Sequence, residues 1–211
     1  MGLRYLMNLE SEMTTQTATP TLISAAWPTG KTNVWLRNVL LAVGGSLLIA
    51  LSSKVQIPFY PVPMTMQTFV ILGLGMAFGW RLAGATLLLY LAEGAMGLPV
   101  FAGTPEKGIG LAYMLGGTGG YLIGFVLAAV TCGWLAEKGW DRSPLTTALA
   151  MLIGNALIYI PGLLWLGALF GWDKPILAWG LTPFVVGDIF KLALAAAVLP
   201  LAWKFIGRRA S

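Results

Sequence analysis

Hydrophobic and polar positions divide the chain into six long apolar runs separated by short polar breaks. The runs cover roughly 34–52, 66–80, 82–97, 111–137, 145–171 and 177–206. Prolines mark several of the breaks, as in the cluster of Pro58, Pro61 and Pro63 and in the pair Lys174 and Pro175. A helix needs about 20 mostly apolar residues to cross a bilayer. The pattern therefore predicts an all-α, polytopic membrane protein with six transmembrane helices.

The composition agrees with a membrane protein and excludes several other classes. Hydrophobic residues make up 57% of the chain and charged residues only 10%, and the mean hydropathy is +0.79. The sequence has no histidine and one cysteine, Cys132, so it offers neither a metal-ligand cluster nor a disulfide framework. We therefore expect no metal site, no cofactor and no catalytic residues.

The basic residues are distributed unevenly between the two sides of the predicted bundle. Nine lysines and arginines fall in the N-terminal segment, the C-terminus and the loops on that side, whereas the opposite side carries only Lys54, Lys107 and Lys174. Cytoplasmic loops are enriched in Lys and Arg. The bias predicts a multi-pass protein of the cell (inner) membrane with both termini in the cytoplasm. Because the bases lie in loops, the net charge of +5 indicates topology and not nucleic-acid binding.

The N-terminal segment differs from the rest of the chain. Residues 1–30 contain a Thr-rich run and only one short apolar patch, so we interpret them as a flexible cytoplasmic tail that precedes a membrane domain at 31–211. Residues 25–32 fit a relaxed phosphate-loop pattern, but no strand is predicted before them. We expect no nucleotide binding at this segment.

The last apolar run contains two charged residues, Asp188 and Lys191. Each costs on the order of 2.5 to 3.5 kcal/mol at the centre of a membrane span, so such residues usually mark substrate, ion or partner contacts. A separation of three residues places both on one face of a helix. The two opposite charges can neutralise each other when the site is empty. When a ligand binds, the pair offers it one hydrogen-bond acceptor and one donor.

Other polar groups fall at similar predicted depth. Thr65 either caps a helix or contacts a ligand, and the neighbouring Gln67 is not explained by a cap. Asn155 and Tyr159, four residues apart, share a helical face, and Asn155 either bonds to another helix or binds a ligand. The glycines of 116–120 favour close helix packing. Together these groups suit a small polar molecule with an apolar body.

Five ordered motifs resemble the BioY family of biotin-binding S components of energy-coupling factor (ECF) transporters. They are VPMTMQT at 62–68, GLPVFAG at 97–103, GTGGYLIG at 117–124, GNALIY at 154–159 and GDIFK at 187–191. The resemblance extends from about residue 34 to 206. It implies a protein that captures biotin from outside with high affinity, while a transmembrane coupling subunit and ATPase subunits drive its release into the cytoplasm.

The resemblance also implies which residues form the biotin site. Asp188 could accept a hydrogen bond from the ureido ring, and Lys191 could bind either the ureido carbonyl or the carboxylate, so the orientation of biotin stays open. The other residues that the resemblance assigns to the pocket are Thr65, Gln67, Asn155, Tyr159 and Tyr121.

The first predicted helix carries a stripe of small residues, Ala42, Ser46 and Ala50. Such a stripe lets another helix approach closely, either within the chain or from a partner. The resemblance to S components favours an interface with the coupling subunit. A stand-alone biotin transporter is the main alternative. An intramembrane protease is disfavoured, because Asp188 lacks the complete glycine motif and a second catalytic aspartate in a neighbouring span.

Overall fold

A computed structural model describes residues 19–28, 33–58 and 60–210, with side chains described through residue 206. The described part is mainly helical, with one two-stranded antiparallel ribbon. In chain order its elements are α1 (Leu22–Ala26), α2 (Val34–Lys54), β1 (Gln56–Ile57), β2 (Met64–Thr65), α3 (Gln67–Phe78), α4 (Trp80–Ala95), α5 (Gly110–Met114), α6 (Gly119–Ala136), α7 (Pro144–Phe170), α8 (Ile176–Gly180) and α9 (Thr182–Ala210).

Four helical segments of the described residues are long and apolar enough to cross a membrane. They are α2, α6, α7 and the stretch Ile176–Ile206 that contains α8 and most of α9. The second and third predicted runs form the shorter helices α3 and α4, which are separated at Gly79. Gly79 has a φ of 79°, a conformation that glycine adopts without strain. A single residue, Gly79, thus connects α3 to α4.

Two predicted helices are each divided into a short and a long helix. The run predicted at 111–137 breaks between α5 and α6, where Gly116 and Gly117 interrupt it. The run predicted at 177–206 breaks at Leu181, just before Thr182 and Pro183. Proline lacks a backbone N–H, so it begins a helix more readily than it continues one. Hydropathy alone does not detect such breaks, because the residues around them stay apolar.

Helix α6 lies at the centre of the bundle, and α2 lies at its edge. Two thirds (67%) of the most apolar window of α6 is buried, against 22% for α2. Small residues allow α7 to approach α6 closely. A Cβ atom on Gly120 would lie 2.3 Å from the carbonyl oxygen of Pro161, and one on Gly124 would lie 2.7 Å from Cα of Ile158. Gly120 therefore serves helix packing, as the sequence pattern favoured.

Residues 19–28 lie against the helical bundle. The backbone N–H and the hydroxyl of Thr19 both donate to the carbonyl oxygen of Glu137, over 3.0 and 2.7 Å. The carbonyl oxygen of Trp27 accepts a hydrogen bond from Nη1 of Arg37 over 2.8 Å. The flexible tail predicted at 1–30 therefore differs from the structure at residues 19–28, whereas 1–18 and 29–30 lie outside the described residues.

The β-ribbon connects α2 to α3 and positions the first polar residues of the site. Gln56 pairs with Thr65 and Ile57 pairs with Met64, and the N–H of Met66 donates to the carbonyl oxygen of Val55 over 3.1 Å. These bonds hold the chain against the end of α2 immediately before α3 begins.

Candidate functional site

A narrow, partly enclosed cavity lies among helices α3, α4, α6, α7 and α9. About 550 Å³ of space lies between its atoms. Polar and aromatic side chains alternate with apolar ones around it. The lining residues are Val62, Pro63, Thr65, Gln67, Thr68, Tyr90, Phe101, Ala102, Tyr113, Thr118, Tyr121, Leu122, Phe125, Ile158, Tyr159, Phe184, Asp188 and Lys191.

Asp188 and Lys191 form a buried ion pair on one side of this cavity. Lys191 Nζ lies 3.1 Å from Oδ1 of Asp188, and the two side chains are 11% and 8% exposed. Both belong to α9, where the separation of three residues brings them together as the sequence predicts. The charges cancel locally, which lowers the cost of holding them within the bundle.

Strand β2 and helix α3 supply the other partners of Lys191. The ammonium group also donates to the backbone carbonyl oxygen of Thr65 over 2.8 Å and to the hydroxyl of Thr68 over 2.9 Å. An ammonium group has three N–H donors. All three are directed at oxygen atoms, so the head group of Lys191 is held in one position.

The carboxylate of Asp188 is held by residues from three helices. Oδ1 accepts from Lys191 of α9 and from the Thr68 hydroxyl of α3 over 3.4 Å. Oδ2 accepts a hydrogen bond from the Tyr159 hydroxyl of α7. The acidic group is thus oriented before any ligand arrives, which reduces the ordering cost of binding.

A second polar chain lies between α3 and α4. Nε2 of Gln67 donates to the hydroxyl oxygen of Tyr90 over 2.7 Å, and that hydroxyl donates to the carbonyl oxygen of Val100 over 3.2 Å. Gln67 is 4% exposed. The Thr65 hydroxyl accepts from the backbone N–H of Gln67 over 3.2 Å and lies 3.3 Å from its Oε1. Met66 is the N-cap residue of α3 and makes no side-chain cap hydrogen bond. The Thr65 hydroxyl instead bonds to the first residue of α3 while it lines the cavity.

The loop that follows α4 contributes an aromatic wall. The rings of Phe101 and Tyr113 are stacked with centroids 4.8 Å apart, and Tyr90 meets Phe101 edge to face at 5.4 Å. A Cβ atom on Gly94 would lie 2.0 Å from the Phe101 ring, so only glycine leaves room for it. Lys54 Nζ donates to the carbonyl oxygen of Phe101 over 2.9 Å. The wall is therefore supported from α2 and α4.

A second aromatic group lies on the opposite side of the cavity. The rings of Tyr121 and Tyr159 meet edge to face at 6.2 Å, and Phe184 lies 6.3 Å from Tyr159. The Tyr121 hydroxyl donates to the carbonyl oxygen of Gly180 over 2.8 Å. Because Gly180 ends α8, this bond attaches the break before α9 to the central helix α6.

The cavity combines groups that suit a ligand with two polar regions and an apolar body. It presents a carboxylate, an ammonium group, an amide and several hydroxyls between two aromatic surfaces. Most of these polar atoms bond to one another, so a ligand must replace some of those bonds with its own.

The family comparison agrees with this geometry. The model of the BioY family matches residues 15–208. The chain belongs to the BioY family.

Individual relatives of this BioY protein are similar over most of their length. The protein named probable biotin transporter BioY of Pyrococcus horikoshii is 36% identical over 156 residues, which cover 72% of this chain and 90% of that protein. The biotin transporter BioY of Thermotoga maritima is 35% identical over 164 residues, covering 77% and 94%. These relatives are named transporters, and the family is one of transporters and not of enzymes.

The fold of this BioY protein is also found in a solved structure. The crystal structure of the S-component for biotin from an ECF-type ABC transporter aligns with a TM-score of 0.68 and 23% sequence identity. The alignment covers 82% of this chain and 94% of that chain. The similarity establishes a shared fold.

Six of the seven pocket residues predicted for this BioY protein line the cavity: Thr65, Gln67, Tyr121, Tyr159, Asp188 and Lys191. The exception is Asn155. It lies in an adjoining groove between α7 and α9 that Tyr159 and Asp188 also line, and its buried Oδ1 has no hydrogen-bond partner among the described residues. Asn155 shares a face with Tyr159 but lies one helical turn beyond the cavity. Asn155 does not line the cavity itself, and its place in the biotin pocket stays a prediction.

Sequence reasoning missed the residues that loops and helix packing bring to the site. Tyr90, Phe101 and Tyr113 lie far apart along the chain but line the same cavity. The motif GLPVFAG contains Phe101 and could have indicated it. Thr68 lies within the motif VPMTMQT, which could have indicated it.

The predicted partner stripe on α2 is only partly available. Ser46 is 0% exposed, and its hydroxyl donates a hydrogen bond to Oε2 of Glu93 in α4. Ala42 and Ala50 are half-buried. The structure therefore differs from the prediction that Ser46 faces a partner, because its side chain faces another helix of the same chain.

Proposed function

We propose that this protein captures biotin with high affinity and carries it across the cytoplasmic membrane. The observation that supports this most directly is the buried pair of Asp188 and Lys191, which lies in a cavity between two aromatic surfaces. Relatives that match three quarters of the chain are named biotin transporters.

The chemistry of biotin matches the groups in this cavity. Its ureido ring has two N–H donors and one carbonyl acceptor, its sulfur-containing ring is apolar, and its tail ends in a carboxylate. Asp188 can accept from a ureido N–H, and Lys191 can donate to the ureido carbonyl or to the tail carboxylate. Gln67, Thr65 and the hydroxyl of Tyr159 can complete the polar contacts. The ring of Tyr121 then borders the apolar body.

We further propose that six helices cross the membrane. Helices α3 and α4 complete the set, although α3 is only about 18 Å long at about 1.5 Å per residue. The membrane domain is then residues 31–211, preceded by a cytoplasmic tail. The excess of basic residues at one end of the bundle supports a topology with both termini in the cytoplasm. Biotin would enter from the opposite, outer end.

The proposed mode of action is that of the substrate-specific subunit of an ECF transporter. The fold shared with a biotin S-component supports it. A transmembrane coupling subunit and ATPase subunits would supply the energy for release into the cytoplasm. The exposed side of α2, next to Ala42 and Ala50, is the surface that we assign to the coupling subunit. A stand-alone transporter is the second candidate.

Uptake measurements separate these two modes. Cells that lack their own biotin transporter are given this protein with or without a coupling subunit and ATPases from an ECF system, and uptake of radiolabelled biotin is followed. We expect uptake only when all subunits are present and none with Asp188→Asn. Equal uptake without the other subunits would support the stand-alone transporter, and absence of uptake in every combination that assembles would contradict transport of biotin.

A further inference from the structure

A second groove lies at the opposite end of the bundle from the cavity, where α2 and α4 begin and α3 ends. The cavity end of α2 is marked by Lys54, which bonds to Phe101, whereas the groove lies beside the first residues of the same helix. Both arginine side chains and apolar side chains line it. The lining residues are Trp35, Arg37, Asn38, Val39, Ala42, Phe78, Arg81, Leu82 and Ala85.

Arg37 is a buried cation without a carboxylate partner among the described residues. It is 8% exposed. Its guanidinium donates to the carbonyl oxygen of Trp27 over 2.8 Å and to Oδ1 of Asn38 over 3.4 and 3.2 Å. Both acceptors are neutral. A guanidinium group has five N–H donors, so within the described part of the chain two of them have no acceptor and the positive charge has no opposite charge beside it. A buried charge is expensive unless an opposite charge is close to it.

Arg81 adds a second cation to the same groove. It is exposed, and its guanidinium carbon lies 5.0 Å from the centroid of the Trp80 ring. No carboxylate lies within salt-bridge distance of it in the described part of the chain. Trp35 is 74% exposed and borders the groove as well. Tryptophan and arginine at a helix end are typical of the level of lipid head groups.

We propose that this groove binds the head group of an anionic phospholipid. The phosphate would receive the two free N–H donors of Arg37 together with the guanidinium of Arg81, and arginine pairs with phosphate oxygens in this bidentate manner. Val39 and Leu82 also line the groove, so the acyl chains can lie against them, beside the side of α2 that we assign to the coupling subunit. The proposal does not depend on the identity of the ligand in the cavity.

Charge complementarity favours a lipid over a soluble phosphate compound. The groove has a cationic part, formed by Arg37 and Arg81, and an apolar part, formed by Val39, Phe78 and Leu82. A free phosphate would satisfy only the arginines. An anionic phospholipid satisfies both parts of the groove at once.

The test is native mass spectrometry of the full-length protein released from nanodiscs that contain phosphatidylglycerol and phosphatidylcholine in equal amounts. The groove variants are Arg81→Gln and Arg37→Gln. Arg81 is exposed, so its variant tests the groove even if Arg37→Gln does not fold. Lys138→Gln is the matched control, because Lys138 also lies over a tryptophan ring, that of Trp134, at 4.0 Å, but does not line the groove.

We expect the wild type and Lys138→Gln to retain phosphatidylglycerol in preference to phosphatidylcholine. Arg81→Gln should retain it roughly tenfold less, the loss expected for one charge-assisted contact. Equal retention by Arg81→Gln and the wild type would overturn the proposal. So would thermal stabilisation by millimolar inorganic phosphate that equals the effect of the lipid. Variants that keep the lipid but no longer assemble with a coupling subunit would assign the groove to a protein partner instead.

Discussion

The hydroxyl of Tyr159 in α7 donates a hydrogen bond to Asp188 in α9. The other oxygen of the same carboxylate is held by Lys191 and by Thr68 of α3. One carboxylate therefore connects three helices of the bundle. The same bonds that fix the helices relative to one another also orient the acceptor that a ligand would meet.

Tyr159→Phe tests the part that this hydrogen bond has in binding. The phenylalanine keeps the ring beside Tyr121 but removes one donor from the Asp188 carboxylate. A hydrogen bond to a charged group contributes about 1.5 to 3 kcal/mol, so the dissociation constant of biotin should rise tenfold or more. Tyr60→Phe is the control, because Tyr60 is 80% exposed and does not line the cavity. Calorimetry that gives the same affinity for both variants would contradict the role of Tyr159.

Ser46→Trp distinguishes packing within the chain from a partner interface. Ser46 is fully buried against Glu93, so a tryptophan at this position should lower the thermal midpoint and weaken biotin binding together. Leu47→Trp is the matched control on the exposed side of the same helix and should leave both unchanged. If Ser46→Trp binds biotin with normal stability but loses uptake with the coupling subunit, the stripe is a partner surface after all.

Gly124→Ala and Gly44→Ala form a pair that tests the closeness of α6 and α7. A Cβ atom at Gly124 would lie 2.7 Å from Cα of Ile158, whereas one at Gly44 has no atom within 4 Å. Overpacking costs about 1 to 3 kcal/mol, so Gly124→Ala should lower the free energy of unfolding by that amount. Gly44→Ala should leave it unchanged or raise it, because alanine favours helix over glycine. Unfolding in detergent, monitored by circular dichroism, measures both, and equal effects would contradict the described packing.

Asp141 should make stability depend on pH. It is buried in the loop between α6 and α7 and accepts a hydrogen bond from Nε1 of Trp203 over 2.5 Å. Burial raises the pKa of the Asp141 carboxyl above its ordinary value of 3.8, against the smaller opposing effect of the Trp203 bond. Above pH 3.8 the unfolded chain loses this proton first, so the folded state binds more protons. The stability that Asp141 contributes should therefore fall as the pH rises.

Thermal midpoints of the wild type and Asp141→Asn check this sign. The asparagine does not titrate, so the midpoint of the wild type should fall relative to that of the variant as the pH rises above the ordinary pKa of 3.8. Asp173→Asn is the control, because the Asp173 side chain is 72% exposed and its pair with Lys174 is at the surface. A wild-type midpoint that stays constant or rises relative to that of Asp141→Asn as the pH rises would contradict the effect of burial.

The site could be predicted where its residues were close in sequence. Asp188 and Lys191 are conspicuous in an apolar run, and their spacing alone places them together. The contact between Gln67 and Tyr90 depends instead on how α3 and α4 pack around Gly79. The periodicity of a single helix does not predict a contact between two helices, so the contact between Gln67 and Tyr90 could not be inferred from the sequence.

Hydropathy also could not predict the breaks between helices or the depth of the cavity. Helices α5 and α6, and helices α8 and α9, are separated within apolar stretches. Turn geometry and Pro183 determine where these helices end and begin, and polarity does not. Asn155 shows the same limit. Its spacing from Tyr159 correctly indicates a common face, but the cavity ends one turn earlier, at a depth that only the packed bundle determines.

Biotin binding by calorimetry, with the purified wild type, Asp188→Asn and Lys191→Met, tests the central claim most directly. Circular dichroism and size-exclusion chromatography establish that each protein is folded. We expect tight binding of biotin by the wild type, a loss of at least about tenfold in each variant because each leaves the other charge buried and unpaired, and no heat with unrelated vitamins. Folded wild-type protein that does not bind biotin, or variants that bind it as tightly as the wild type, would contradict the account.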